Sequence, residues 1–132
     1  MNIERIEKKI NSKERLQIID ITDQAEEVIN SKGMDNGFIS LWVPHTTACI
    51  TINENDRGLW HDLIGKFKEL VPVEGEYEHK ANAHAHILSS MIKPEVQIPV
   101  SDGRMILGTW QRILFIELDG PRERRVIYTL SS

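Results

Sequence analysis

The second half of the chain alternates short apolar runs with turn sequences, and this spacing constrains the fold more than any other feature. Strands are predicted at 95–100, 104–108, 110–118 and 124–130. Ser101-Asp-Gly103 and Asp119-Gly-Pro121 separate two pairs of these runs and are typical of tight turns. Because short turns join antiparallel neighbours, this half of the chain predicts an antiparallel sheet.

The first half mixes strands with one helix. Two strands are predicted at 2–10 and 14–21, and Asn11-Ser-Lys13 between them favours a hairpin turn. A helix is predicted at 23–32, with Asp23 and Glu26 as a capping box and Gly33 at its end. The run 37–43 is almost continuously apolar, so we expect a central strand that is buried on both faces.

Two further helices are predicted around the middle of the chain. The first, 56–69, carries an apolar stripe at helical spacing and has Asn53 or Asn55 as its cap. The stripe consists of Leu59, Trp60, Leu63, Ile64 and Phe67. The second, 83–92, follows Asn82 as its cap. About eight strands with about three short helices inserted between hairpins predict one α+β domain over 1–132, with a mainly antiparallel sheet or sandwich.

Composition excludes several classes of protein. The chain has 132 residues and a formal net charge of −4, so we expect no nucleic-acid partner. It has no apolar run of membrane-spanning length, and we expect no membrane partner. The single cysteine, Cys49, excludes an internal disulfide and favours the cytoplasm. A doubly wound nucleotide-binding fold is also excluded, because it needs a regular alternation of strands and helices that is absent here, and no glycine-rich phosphate loop is present.

A histidine-rich stretch suggests a site. Three of the five histidines, His79, His84 and His86, fall within 79–86. Imidazole binds metals and titrates near neutral pH, although the same residues could instead cap a helix and satisfy buried polar groups. If 83–92 is helical, His84 and His86 point apart and only one of them joins a site. His45 leads the polar face of a predicted strand, 45–55, whose other face is mostly apolar.

Several motifs read in order resemble those of one family. They are His45-Thr-Thr-Ala-x-Ile-Thr-Ile-Asn-Glu-Asn55, Gly75-Glu-Tyr-Glu-His79, Asn82-Ala-His-Ala-His86, Ile98-Pro-Val-x-Asp-Gly103, Gly108-Thr-Trp-Gln111 and Glu117-Leu-Asp-Gly-Pro-Arg122. Together they resemble the YjbQ-like family of small uncharacterised proteins. The resemblance implies an α+β homotrimer with a histidine-based metal or anion site near the subunit contacts. It also implies a weak, secondary thiamine-phosphate synthase activity.

The resemblance implies roles for individual residues. His45, His79 and His86 match family histidines and are the expected ligands of a divalent metal, zinc or magnesium. His45, Glu54 and His86 are the candidate catalytic residues. A small phosphorylated molecule or anion is the expected ligand, and candidate residues for binding it have hydroxyl, amide or guanidinium groups. These are Thr47, Asn53, Asn82, Thr109, Gln111 and Arg122.

The residues leave other functions open. A metal-assisted hydrolase would use Glu54 or Asp56 as base, although both acids also suit the start of a helix. A non-catalytic trimer that binds a metal or small anion is the other alternative. The late arginines suit either an anion site or a subunit interface. These are Arg104, Arg112, Arg122, Arg124 and Arg125.

Three side chains have structural roles as alternatives to functional ones. Trp110 could wall a pocket, but a core role beside a strand bulge is the alternative. His61 lies beside the apolar stripe without a local partner and is expected to be structural. Cys49 is expected to be a packed or site-lining thiol rather than a nucleophile.

Overall fold

The computed structural model describes residues 2–132, which form two antiparallel sheets and three helices. The elements are β1 (Ile3–Asn11), β2 (Gln17–Asp20), α1 (Thr22–Lys32), β3 (Gly37–Trp42), β4 (Ala48–Asn53), α2 (Arg57–Leu70), α3 (Ala83–Ile92), β5 (Glu95–Ser101), β6 (Arg104–Met105), β7 (Arg112–Glu117) and β8 (Glu123–Ser131). Sheet A has the strand order β1-β8-β3-β5-β6, and sheet B has the order β2-β7-β4. The predicted α+β fold with mainly antiparallel sheets is confirmed.

Sheet B lies between two hydrophobic cores. Along β7, Ile113 and Phe115 point into the core shared with sheet A and α1, whereas Leu114 and Ile116 point into a second core with α2 and α3. A strand covered on both faces needs apolar residues at every position, which explains the continuous apolar run of β7. The apolar stripe of α2 packs on this second core, as predicted.

Strand β3 is central in sheet A, but the prediction that it is buried on both faces was wrong. Ile39 and Leu41 are fully buried, whereas Phe38 is 48% and Trp42 is 44% exposed. One hydrophobic core lies on the inner side of sheet A and the other lies beyond sheet B, and neither includes these two aromatic residues. Within residues 2–132, the outer face of sheet A therefore leaves large apolar side chains in contact with solvent.

The predicted hairpin between the first two strands was also wrong. β1 pairs with β8 in sheet A, whereas β2 pairs with β7 in sheet B. The segment between them crosses from one sheet to the other, and the Ser12 hydroxyl bonds Glu117 at the crossing. The turn residues predicted a break in the strand correctly, but local sequence does not determine which distant strand becomes the partner.

The helix ends differ from the predicted caps. The backbone N–H of Thr22 donates to Asp20, and Asp23 pairs with Arg112, so the Asp23–Glu26 capping box does not form. Gly33 ends α1 in the left-handed region with φ 62°, as expected of glycine. At α2 the cap is Asp56, whose side chain accepts from the Leu59 N–H at 2.8 Å.

Strands β6 and β7 are shorter than the predicted 104–108 and 110–118, and the segment between them is a turn. The N–H of Gln111 donates to the Gly108 carbonyl at 3.1 Å, and the N–H of Gly108 donates to the Gln111 side chain at 2.7 Å. Trp110 lies on this turn and is 70% exposed, which excludes the alternative of a core role. Strand β4 begins at Ala48, so His45 precedes it.

Candidate functional site

A buried ion pair between Glu117 and Arg124 lies at one end of sheet B. Glu117 is fully buried, and Arg124 is 3% exposed. The Arg124 Nε donates to Glu117 Oε1 at 2.8 Å, and its Nη2 donates to Oε2. This two-point contact is the most specific way for a guanidinium to bind a carboxylate, and burial makes either partner costly to remove.

Neighbouring groups complete the coordination of this pair. The Ser12 hydroxyl donates to Glu117 at 2.7 Å, and the N–H of Asp119 donates at 3.0 Å. The Arg124 Nη2 also donates to the Thr47 hydroxyl at 2.9 Å. Burial alone would raise the pKa of Glu117, but the hydrogen bonds from Arg124, Ser12 and Asp119 hold that pKa below its usual value. The carboxylate is therefore ionised and fully hydrogen-bonded.

A tight turn between β7 and β8 brings the two charges together. Glu117 ends β7, and Arg124 is the second residue of β8. At Gly120, between them, a Cβ atom would lie 2.4 Å from the Glu14 carbonyl oxygen and 2.6 Å from the Ser12 hydroxyl oxygen. Only glycine permits this approach, so the turn sequence is a requirement of the buried network.

His45 lies beside the ion pair and is fixed by a backbone donor. The N–H of Arg125 donates to its Nε2 at 3.0 Å. Burial, followed by the charges of Arg124 and Arg125, lowers the pKa of His45 below its ordinary value, although Glu117 acts in the opposite direction. His45 is therefore a neutral imidazole whose Nε2 lone pair is engaged.

Asn82 joins the histidine-rich segment to the same place. Its side chain does not cap α3 as predicted; instead, its amide donates to the Asp119 carboxylate at 3.0 Å. The Nη2 of Arg122 donates to the same carboxylate oxygen, also at 3.0 Å. Arginine, carboxylate and amide thus form one chain of contacts. We call this end of sheet B, with His45, Thr47, Asn82, the Glu117–Arg124 pair and the turn at Asp119 and Arg122, the histidine end.

His79 and His86 lie next to each other. Their ring centroids are 4.7 Å apart, and the planes are tilted by 55°. His79 is exposed and His86 is half-buried, so both rings are accessible. His86 lies one turn beyond Asn82 on α3, and its N–H donates to the Asn82 carbonyl. The predicted partnership of these two histidines is therefore geometrically possible.

His84 points elsewhere, as the helical spacing predicted. It is fully buried, and neither ring nitrogen has a hydrogen-bond partner. Buried polar groups are nearly always paired, and an unpaired one costs about 1–3 kcal/mol of stability. His84 is therefore the weak point of an otherwise well-satisfied end of the molecule.

The expected three-histidine metal set does not fit the geometry of one chain. Across residues 2–132, no group of three or more His, Cys, Asp or Glu side chains is arranged to hold a metal ion. The Nε2 lone pair of His45 is already engaged by Arg125. Of the three expected ligands, His79 and His86 lie next to each other.

Other candidate residues lie at the opposite end of sheet B. Asn53 pairs with Arg112 across the ladder, whereas Ala48 pairs with Glu117, and the six-residue β4 that separates these ends spans roughly 17 Å. Asn53 and Glu54 are therefore not close to the histidines. Glu54 instead holds α2, because its carbonyl accepts from the Trp60 indole at 2.9 Å. We call the end with Asn53, Arg112 and Asp20 the groove end.

Thr109 and Gln111 also lie at the groove end. They line an open groove of about 710 Å³ between α1 and the turns around β6. Here Arg112 donates to Asp20 at 2.7 Å, and Asn55 donates to the same carboxylate at 2.8 Å. Within one chain, the structure thus divides the predicted ligand-binding residues between two separate places.

Cys49 and His61 have the structural roles that the sequence favoured. Cys49 is fully buried in the second core, and burial raises the pKa of its thiol to about 12, so no thiolate nucleophile forms near neutral pH. His61 is on the exposed surface of α2, with a side chain that is 91% exposed. Its nearest acid is Asp62, the next residue.

Sequence reasoning missed the roles of Ser12, Glu117 and Asp119, and it considered only an anion site or a subunit interface for Arg124. One signal was present: Glu117 interrupts an apolar run that is otherwise fully buried, and a charge at such a position requires a partner. Arg124 likewise occupies the inward position of β8 that Val126 and Tyr128 repeat. No comparable signal marks Ser12.

Known proteins are similar to this chain in both sequence and fold. The family described as "UPF0047 protein YjbQ-like" matches residues 6–132. A UPF0047 protein of Archaeoglobus fulgidus is 43% identical over 125 residues, covering 92% of this chain and 97% of the relative. A hypothetical protein of Aeropyrum pernix K1 superposes with a TM-score of 0.95 at 40% identity, over 98% of both chains. A YbjQ-like protein of unknown function from Sulfolobus solfataricus P2 gives 0.94 at 34% identity, over 98% of this chain and 96% of that one. This chain therefore belongs to the YjbQ-like UPF0047 family.

Proposed function

We propose that this chain binds a small phosphorylated molecule at the histidine end, as a subunit of a homotrimer with weak thiamine-phosphate synthase activity. The observation that carries the proposal is the Asn82–Asp119–Arg122 contact, which joins the histidine-rich segment to an arginine. The Nε of Arg122 donates to the Asp119 carbonyl, and its Nη2 donates to the Asp119 carboxylate. The remaining N–H donors of the guanidinium are available to an anion. Its side chain is 49% exposed and can be reached from solvent.

The synthase reaction needs this kind of site. The thiazole nitrogen forms a bond to the methylene carbon of the pyrimidine, while the bond from that carbon to pyrophosphate breaks and pyrophosphate leaves with the electron pair. Fixed donors stabilise the charge that develops on the leaving group. Arg122 and the accessible imidazoles would provide them. Residues 2–132 offer no acidic metal cluster of the kind a dedicated pyrophosphate enzyme uses, so we expect slow turnover.

The activity is tested by incubating purified protein with thiazole phosphate and pyrimidine pyrophosphate and measuring thiamine phosphate. Arg122→Ala should lower the rate about tenfold or more, because a charged hydrogen bond to the leaving group is lost. Arg104→Ala is the matched control, since Arg104 lines the groove at the other end. If the parent protein binds pyrophosphate by calorimetry but forms no product, it is a binding module. If it does neither, the proposal fails.

A divalent cation beside His79 and His86 is a second feature that we propose. The observation that favours it is the 4.7 Å separation of the two rings. Zinc prefers imidazole nitrogen, whereas magnesium prefers oxygen and would arrive with the phosphate groups. A bound cation would neutralise phosphate charge. His86→Ala should abolish zinc retention in elemental analysis, whereas the exposed His61→Ala should not; equal zinc content in all variants would remove the cation from the proposal.

The homotrimer would cover the outer face of sheet A. Phe38, Trp42 and Ile3 expose apolar side chains there, and Arg5 and Glu7 on the same face of β1 offer both signs of charge to a second copy. Light scattering should give three times the 15.2-kDa chain mass. The double substitution Phe38→Ser with Trp42→Ser should give monomers, and a monomeric parent protein would contradict the trimer. We also retain the cytoplasm as the proposed location, on the basis of the single unpaired thiol of Cys49.

A further inference from the structure

The metal role implied for His45 disagrees with the hydrogen bond that its ring makes. A neutral imidazole has one N–H and one lone pair, so a ring whose Nε2 accepts a hydrogen bond carries its proton on Nδ1. The donor to His45 is the backbone N–H of Arg125, which has no lone pair and can only donate. In this arrangement His45 has no free lone pair for a metal.

The backbone explains why the ring accepts at this position. Strand β3 ends at Trp42, opposite Ile127 of β8, and Pro44 follows closely. Beyond that point Arg125 has no acceptor on β3, although its N–H needs one. The His45 Nε2 takes the place of the missing strand carbonyl at 3.0 Å. Because Arg124 is anchored by Glu117, the neighbouring N–H of Arg125 is held in position.

The other ring nitrogen is free and accessible. Across residues 2–132, the only buried side-chain nitrogen or oxygen atoms that lack a partner belong to His84. The half-buried His45 therefore has its Nδ1 in contact with solvent. The charges that act on the pKa of the ring are those of Arg124 and Arg125, which lower it, and that of Glu117, which raises it.

We propose that His45 donates its Nδ1 proton to an oxygen of the bound anion and is not a metal ligand. This inference rests on the proposed phosphate-binding function. It assigns His45 and the pair His79 and His86 different tasks: His45 recognises the anion by a fixed N–H, and the accessible pair is left for a cation. An anion oxygen accepts that N–H as a charge-assisted hydrogen bond.

The tautomer is measured directly on the wild-type protein. Histidine labelled with ¹⁵N distinguishes a protonated ring nitrogen from an unprotonated one by chemical shift. We expect His45 to show Nδ1–H and a bare Nε2 near neutral pH, with no change when zinc is added. An Nε2–H tautomer, or a zinc-induced shift of a His45 nitrogen, would overturn the proposal. His61, exposed on α2, is the reference for a ring without a fixed partner.

Matched substitutions separate the donor from the ligand. The amide nitrogen of asparagine can occupy the position of the histidine Nδ1, whereas glutamine places its amide near Nε2. His45→Asn should therefore keep the affinity for inorganic phosphate within about threefold, whereas His45→Ala and His45→Gln should lose about tenfold or more. His45→Ala and His45→Asn lose the acceptor for Arg125, whereas the amide oxygen of His45→Gln can keep it. Phosphate binding that survives in His45→Asn and not in His45→Gln therefore isolates the donor at Nδ1.

The metal and phosphate measurements distinguish two kinds of failure. Zinc content by elemental analysis should be the same in wild type and His45→Asn, and a loss of zinc in His45→Asn would make His45 a ligand. If wild type binds no phosphate, the proposed function fails, while the tautomer still decides the state of His45. If the variants do not fold, as judged by circular dichroism, the wild-type tautomer measurement alone decides.

Discussion

The two ends of sheet B carry the same kind of ion pair in different surroundings. At the histidine end, the side chains of Glu117 and Arg124 are 0% and 3% exposed. At the groove end, those of Asp20 and Arg112 are 11% and 36% exposed. Water can replace a lost partner at the groove end but cannot at the histidine end. Loss of one partner is therefore more costly at the histidine end, where solvent is excluded from the pair.

Removing the buried guanidinium should have the largest effect. Arg124→Ala leaves Glu117 as an unpaired buried charge and should lower the free energy of unfolding by about 3–5 kcal/mol in urea titrations. Arg124→Lys should recover only part of this loss, because an ammonium cannot make the two-point contact. A loss below about 1 kcal/mol for Arg124→Ala would show that the buried pair is no more important for stability than an accessible one.

Acid should act on the same pair. The folded-state pKa of Glu117 lies below its ordinary value of 4.5, so the unfolded chain binds the proton more readily. The stabilisation is thus complete above the unfolded-state pKa and is lost as the pH falls through the lowered folded-state pKa. The free energy of unfolding should fall steeply in that acid range. Asp20→Asn should retain most of this fall in the free energy of unfolding. If the free energy of unfolding of Asp20→Asn does not fall in acid, the effect belongs to the ion pair at the groove end instead.

The unsatisfied histidine at the well-satisfied end should give a gain in stability. His84→Leu removes two buried nitrogens that have no partner, and we expect the free energy of unfolding to rise by about 1–3 kcal/mol. His86→Leu is the matched control on the same helix, because its half-buried ring contacts His79 and no such gain is expected. A loss of stability in His84→Leu would show that His84 has a polar partner in the assembled protein.

The smallest effect is expected at the groove end. Arg112→Ala removes a contact whose partners remain accessible to water, so the free energy of unfolding should fall by no more than about 1 kcal/mol. The same urea titration measures it. The ratio of the Arg124→Ala loss to the Arg112→Ala loss then quantifies the contrast between the two ends, and equal losses would refute it.

Sequence patterns predicted the fold class because periodicity and turns are local properties. Gly33, the apolar stripe of α2 and the bounds of α3 lie where the spacing placed them. The partner of β1 was not predictable, because the turn after Asn11 is compatible with either sheet. The exposure of Phe38 depends on which face of sheet A remains uncovered, and a run of apolar residues does not contain that information.

The candidate site was predictable in part. The histidine spacing correctly separated His84 from His86, since residues two apart on a helix face different ways. Motif resemblance grouped Thr109 and Gln111 with the histidines, whereas within a single chain both residues lie at the groove end. Similarity between motifs gives no distances between residues, so it could not show that these residues lie at opposite ends of sheet B. The proton position on His45 required the backbone N–H of Arg125, a contact between residues 80 positions apart.

The pairing of β1 with β8 has a consequence for how the protein is made. Their side chains are in contact although they are far apart in sequence: Glu7 and Arg125, which form an ion pair, are separated by 118 positions. During synthesis β1 emerges early, yet sheet A cannot be completed until β8 has left the ribosome. Such a long-range closure makes folding slow relative to a helical bundle of the same size. Until β8 is available, the charged side chains of β1, including Glu4, Arg5 and Glu7, would keep this strand from pairing with the nascent strands of neighbouring chains.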